Sequence, residues 1–226
     1  MASYAPSFRM WRSIPALKTY YRTVAMKKLL MAMFALALLT ACTSEPPKPA
    51  EKPQPKPAEL LTARSGLQKL YISAHGWAPD ARPYRLESVP NADSKGRDGK
   101  SAVWRASFAS ATMRATKPYV WSGSDPDRGV NPGLQDTYNP NNASTHAFDI
   151  AFLKIDSDKA YEVAQQHGGD KVLAKSADTP VLYILEWDVV ANELVYHVIY
   201  GNSRDDYKLK IAVNATSGEF IRIEKS

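Results

Sequence analysis

Beyond Cys42 the sequence has no cysteine, which excludes a structural disulfide, a thiol nucleophile and a cysteine-ligated metal from everything downstream. Long apolar runs are scarce: the run from Leu29 to Leu39 is too short for a membrane-spanning helix, which takes roughly 20 residues. A surplus of one charge is also missing once the chain is divided. The formal net charge is +6, but Arg9, Arg12, Lys18, Arg22, Lys27 and Lys28 all precede Cys42 in a stretch without Asp or Glu. Removing those 6 from the 29 Lys and Arg leaves 23 basic residues against 23 acidic ones. The basic footprint of a phosphate-backbone binder is therefore absent, and no nucleic-acid partner is expected. His-Glu-x-x-His, Gly-x-Ser-x-Gly and a Gly-rich phosphate loop do not occur either, which removes the commonest hydrolase and nucleotide-site motifs. No catalytic residue, cofactor or metal site is assigned, and the expectation is a protein that is not an enzyme.

What the N-terminal region does contain is ordered like a targeting segment. Lys27 and Lys28 follow Met26, the apolar run comes next, and Leu39, Thr40, Ala41 and Cys42 close it. This tetrad resembles the lipobox of bacterial lipoproteins. The resemblance implies cleavage before Cys42, acylation of its sulfur and its new amino group, and a membrane anchor made of several acyl chains, each buried methylene contributing about 0.8 kcal/mol. Residues 26–41 are then a signal peptide, and residues 1–25, with Trp11, Tyr20 and Tyr21 ahead of it, are an extension upstream of a true start at Met26. Thr43 in place of Asp after the lipid-bearing residue resembles an outer-membrane sorting signal, which puts the protein in the cell envelope, facing the periplasm. Residues 42–58 form a Pro-rich linker, because Pro46, Pro47, Pro49, Pro53, Pro55 and Pro57 recur too closely for helix or central strand. At about 3.1 Å per residue it makes a semi-rigid tether.

The remaining chain reads as an α+β protein of two similar halves, 59–155 and 156–226, each a helix packed on an antiparallel sheet. In the first, Leu60, Ala63, Leu67, Leu70, Tyr71 and Ala74 recur at helical spacing, with an end near Gly76. Extended segments are expected at 84–89, 102–110, 111–122 and 146–155, with a turn-rich stretch from Asn91 to Lys100. In the second, Ser157 is placed as N-cap of a short helix through Ala160, Val163 and Ala164 that stops at Gly168 and Gly169. Four strands follow. Val181, Tyr183, Leu185, Trp187 and Val189 alternate against Glu186 and Asp188, and Leu194, Tyr196, Val198 and Tyr200 line one side of the next strand. Tyr207, Leu209, Ile211 and Val213 alternate against Lys208 and Lys210, which points the lysines at solvent. Phe220 to Ile223 closes the sheet.

The run from Ser157 to Ala164, the hairpin strands, and the ending Val213, Asn214, Ala215, Thr216, Ser217, Gly218, Glu219, Phe220 together resemble a PepSY-type domain over residues 156–226. That resemblance implies a small α+β domain of the kind found in peptidase propeptides and free-standing envelope proteins, with a role in binding or inhibition and no catalytic residues.

The histidines lack metal or catalytic spacing. His75 and His167 fall at helix ends, where a ring nitrogen can reach the last carbonyls. His197 belongs on the outer face of its hairpin, and His146 and Asp149, three apart on an expected strand, point to opposite faces. From Gly123 to Thr145 a long loop carries Asp125, Asp127, Asn131, Asp136, Asn139, Asn141 and Asn142. Asp125, Asp127 and Gly129 resemble the start of a calcium loop, but the bidentate acid that should close it is missing, leaving a turn-rich surface loop. Trp77, Trp104, Trp121 and Trp187 lie in or beside expected core elements. Two readings stay open for Trp104 and Trp121: core packing, or an outward apolar patch that binds a protein or peptide partner, with strand addition at an edge as the recognition mode. The functional expectation is a membrane-anchored, non-catalytic binding module for a protein, peptide or envelope component. The alternatives are an inhibitor or chaperone-like regulator of an envelope peptidase, and an envelope hydrolase with a site assembled from distant residues. Intact-mass and peptide mass spectrometry of the membrane-fraction protein should find a chain that begins at an acylated Cys42; a free thiol on a chain still carrying Met1, in the cytosolic fraction, would overturn the anchoring.

Overall fold

The computed structural model describes residues 57–224 apart from Pro126 and Arg128; the apolar run, Cys42 and nearly all of the Pro-rich stretch lie outside the described residues. The helical spacing of the first segment produces α1 (Ala63–Trp77), which buries Ala63, Gly66, Leu67, Leu70 and Ala74 along one face. Thr62 supplies no side-chain cap to it. The orphan N–H groups of its first turn are met from far away in sequence. The Ser157 hydroxyl accepts from Ala63 N–H at 2.8 Å, and Asp156 Oδ1 accepts from Arg64 N–H at 2.9 Å.

Asp156 also caps α2 (Ser157–Ala164), accepting from Ser157 N–H at 2.8 Å. The N-cap is therefore Asp156, one residue before the expected Ser157, because the serine hydroxyl is engaged between Ala63 N–H and the carbonyl of Gly99, to which it donates at 2.5 Å. As expected, this helix stops at the glycine pair, with His167 and Gly168 outside helical geometry. The chain passes through a wide turn, Gln165–Gly169, with Gly168 at φ +112°, and continues into α3 (Asp170–Lys175). Tyr200 sets that turn. Its hydroxyl accepts from Gln165 Nε2 at 2.6 Å, and a Cβ on Gly169 would lie 2.0 Å from the same oxygen.

The strands are β1 (Leu61–Thr62), β2 (Arg82–Ser88), β3 (Lys100–Ser101), β4 (Val103–Ser110), β5 (Ala115–Ser122), β6 (Val130–Pro132), β7 (Asp136–Thr137), β8 (Val181–Asp188), β9 (Glu193–Gly201), β10 (Tyr207–Asn214) and β11 (Phe220–Glu224). β1 and β3 form a small ribbon; the others make one nine-stranded antiparallel sheet ordered β11-β10-β9-β8-β2-β4-β5-β6, with β7 also on β5. The expected halves do not have separate sheets. β2 and β8 pair directly, with Arg85 opposite Glu186, Leu86 opposite Leu185 and Glu87 opposite Ile184, so the hydrogen-bond ladder crosses the boundary without a break.

Both helices lie on the same face of this sheet. Leu67, Leu70, Ala160 and Ala164 join a single core with Leu86, Phe108, Tyr183, Leu185, Tyr196, Val198, Tyr200 and Ile211. Trp104 and Trp121 belong to it as well, both at 0% exposure, and Trp104 Nε1 donates to Leu61 O at 2.9 Å. The outward-facing patch considered for these two tryptophans does not exist, because Trp104 alternates with Ala106 and Phe108 on β4, and Trp121 with Tyr119 on β5, onto the helix-covered face.

Three local expectations fail for identifiable reasons. The stretch 146–155 is not a strand. Asn142 and Asp149 side chains accept from Ser144 and Ala151 N–H, at 3.0 and 2.9 Å, and start 3₁₀ turns at Ala143–Thr145 and Ile150–Phe152. Tyr207 does not share a face with Leu209, since the β9–β10 register shifts between them; Tyr207 packs on Leu182, Ile184 and Ile199 across the sheet. The long loop is partly structured, as β6 and β7 both pair with β5.

At Gly66 α1 approaches the sheet closely, because a Cβ there would lie 2.7 Å from the Trp104 ring. Gly66→Ala should therefore destabilise the fold by about 1–3 kcal/mol through overpacking, against a helix-propensity gain of about 1 kcal/mol. Gly76→Ala on the same helix meets no atom within 4 Å and should hold or raise stability. Urea midpoints of the two variants check the contrast.

Candidate functional site

With both helices on one face, the other face of β8, β9, β10, β11, β2 and β4 is left without a helical layer. Period-two alternation sends Leu182, Ile184, Glu186 and Asp188 of β8 to this open face, together with His197 and Ile199 of β9. Register then does what alternation alone cannot. Ile184 sits opposite His197, Lys210 opposite Glu224, and Arg85 opposite Glu186, so charged side chains from five strands become neighbours.

Glu186 is one centre of the resulting network. Arg85 Nε donates to its Oε2 at 3.0 Å and Arg204 to its Oε1 at 2.5 Å, while His197 Nε2 stands 3.5 Å from Oε1. Burial acts to raise its pKa, but the Arg204 hydrogen bond and the charges of Arg204, Arg85 and His197 outweigh it, and the carboxyl lies below its ordinary value. Glu224 is the second centre. Its Oε2 meets His197 Nδ1 at 3.0 Å and Lys210 Nζ at 3.2 Å, and its Oε1 accepts from Arg222 at 2.8 Å. Here too burial is opposed by the His197 hydrogen bond and charge and by Lys210, which bring the carboxyl down to about 2. Arg222 continues to Asp188 at 3.1 Å. The Asp188 carboxyl is lowered chiefly by the Ala191 N–H that it accepts at 3.0 Å.

These groups border a shallow depression of about 610 Å³ between Trp187, His197, Arg204 and Lys210. Beside it Leu182, Ile184 and Ile199 form a small apolar strip with Tyr207 against them, and Arg85, Arg105 and Arg204 flank that strip. Arg105 is paired with Glu87. The face is thus an array of ion pairs bordering an apolar strip, held on strands. Its carboxylates already accept two or more donors each, which suits it to surface recognition more than to proton transfer or nucleophilic attack.

Alternation had already placed Glu186, Asp188 and His197 on the outer side of their strands. Their convergence, and the roles of Arg85, Arg204, Arg222 and Glu224, needed the strand pairing. Lys210, expected in solvent, is instead drawn to Glu224 with 15% of its side chain exposed. His75 and His167 do meet helix carbonyls, Tyr71 O at 3.1 Å and Val163 O at 2.9 Å. His146 stacks on Trp187 at 5.7 Å and Asp149 caps a turn, so the two do not converge. Asp125 accepts from Asp127 N–H at 3.0 Å as an ordinary turn, and among the described residues no group of three or more His, Cys, Asp or Glu is placed to hold a metal ion.

A carboxyl whose folded pKa is depressed contributes stability that is complete above its free value and disappears as pH falls through the folded one. For Glu224 that window runs from 4.5 down to about 2, and Glu186 acts in the same direction. The urea midpoint should accordingly fall across this window, and Glu224→Gln should flatten the fall. An acid limb unchanged by the substitution would contradict the network.

No protein-family model matches the sequence, and no curated protein matches it either. Among solved structures, the fold is similar to that of a predicted lipoprotein from Clostridium difficile 630, with a TM-score of 0.50 at 12% sequence identity, covering 71% of this chain and 93% of the other. At that identity the likeness extends to the arrangement of helices and strands and no further.

Proposed function

We propose that the chain is a lipid-anchored envelope protein whose open sheet face holds a protein, peptide or other envelope component without chemistry. The observation that carries this reading is the paired state of the face. Each of these charged groups is held by an opposite charge from another part of the sheet, so a small ion would have to break existing pairs before binding. The Leu182, Ile184 and Ile199 strip is already buried beneath Tyr207 and the flanking arginines, so a broad partner surface would instead lie across Arg85, Arg105 and Arg204 and use these ordered charges for register. Fixed charges on strands lose little side-chain freedom when a partner arrives.

The lipobox-like tetrad at Cys42 and the Pro-rich stretch 42–58 supply the anchor and tether in this reading, with the outer membrane as the site and the periplasm as the compartment. The Clostridium difficile protein with a similar fold is described as a predicted lipoprotein, which supports the same placement. A second reading, an inhibitor or chaperone-like regulator of an envelope peptidase, is favoured by the PepSY-like ending. There Asn214 Oδ1 accepts from Thr216 and Ser217 N–H at 2.8 and 2.9 Å, and Gly218 takes φ +82° to turn the chain into β11. Envelope peptidases whose rates do not change on adding the full chain would count against that version.

Photo-crosslinking residues placed at Arg105 and Arg204 of the open face, in intact cells, should yield adducts with the same partner. One placed at the exposed Ile72 of α1 should not. Equal labelling from both faces, or none from the open one, would refute the assignment of the face.

A further inference from the structure

The two ends of the nine-stranded sheet are finished differently. At one end β5 is covered by the short pieces β6 and β7, and β6 carries Pro132, which has no N–H to offer. Such an edge is blunted against further pairing. At the other end β11 runs Phe220, Ile221, Arg222, Ile223, Glu224 with no proline, and among the described residues no strand lies beyond it. Ile223 is 51% exposed.

The hydrogen-bond phase of β11 can be fixed from its hairpin. Asn214 N–H donates to Glu219 O at 2.9 Å, so Asn214 turns its backbone toward β11, and Ala212 and Lys210, two and four residues earlier on β10, do the same. Their partners in register are Arg222 and Glu224. Those two residues therefore direct their backbone groups at β10, and Ile223 between them directs its N–H and C=O outward.

We propose that a second copy of this chain occupies that edge, β11 pairing with β11 in antiparallel register about a two-fold axis at Ile223. In this register Ile223 faces its own counterpart and exchanges both backbone hydrogen bonds with it. Arg222 of each copy faces Glu224 of the other, giving two opposite-charge cross-strand pairs on the open face. Neighbouring registers are worse. Centring on Arg222 sets arginine against arginine, and centring on Ile221 puts the bulge of β11 at the axis and Arg222 opposite Phe220. The axis stands perpendicular to the sheet, so the two open faces become one continuous surface. This inference does not depend on what that surface binds.

Sedimentation of the full chain in detergent should show a concentration-dependent dimer. Ile223→Pro removes only the outward N–H, and should weaken the dimer at least tenfold while leaving the unfolding midpoint close to that of the parent. Oxidation of an Ile223→Cys variant should link two copies through position 223, because cross-strand Cα atoms about 5.5 Å apart suit a disulfide. The same treatment of an Ile72→Cys variant should not, with the linked peptides identified by mass spectrometry. The cross-link also serves if the proline variant fails to fold. A monomer at every concentration, cross-linking at position 72 as readily as at 223, or an edge that takes up an added extended peptide while the chain stays monomeric would each overturn the proposal.

Discussion

Both major helices begin at one pair of side chains, Asp156 and Ser157. Asp156 Oδ1 terminates α2 from its own N-cap position and also accepts from the backbone of Arg64 in α1, while the Ser157 hydroxyl links Ala63 N–H to Gly99 O. The Arg64 guanidinium adds bonds to the carbonyls of Leu153 and Lys154, at 3.1 and 2.6 Å, just ahead of this pair. Helix N-termini leave N–H groups that must be satisfied, and here those of the first helix are satisfied only once the second has arrived. The helical layer is therefore cooperative across more than 90 residues of sequence, as the β2–β8 ladder is on the sheet side.

That cooperativity leaves one sheet face covered by helices and the other without a helical layer. On the covered face large rings fill the space beneath the helices, with Trp104, Trp121, Tyr183, Tyr196 and Tyr200 all buried. On the open face the same strands turn out Glu186, His197, Lys210 and Glu224. Pairs of this kind, partly exposed, add little net stability, since desolvation offsets much of their attraction. What they do fix is the position of each charge. Removing one member strands the others, whereas a rigid array with all members present offers a partner a defined pattern of sign and spacing.

The parts of this fold legible in the sequence are those set by local pattern. Strict alternation identified β8 and β9 and both of their faces, and three- and four-residue spacing identified the buried stripe of α1. The parts that were not legible depend on distant partners or on short-range competition. The helix stop at Gly168 and Gly169 could be read, but not the second short helix that follows it, nor the seat of Tyr200 against the turn. His146 to Ile155 has strand-like composition, but Asn142 and Asp149 capture nearby N–H groups and close turns first. Trp104 and Trp121 could be assigned to neither face by composition; their burial follows from which side of the continuous sheet receives α1. The charged site was half visible, as isolated outward residues on separate strands, and only register made them a site.

Strand β11 ties the edge of the sheet to that site. Arg222 and Glu224 are at once the outermost members of the charge network and the residues whose backbone holds β11 to β10. Any strand added beyond β11 meets Ile223 through its backbone and Arg222 and Glu224 through their side chains, so it changes the electrostatics of the depression beside His197. Conversely, a partner seated in the depression takes hold of Glu224 and stiffens the edge on which that strand must form. Occupancy of the face and occupancy of the edge are thus linked through two residues, and linkage of this kind is reciprocal: whatever free energy one event contributes to the other is returned in equal measure.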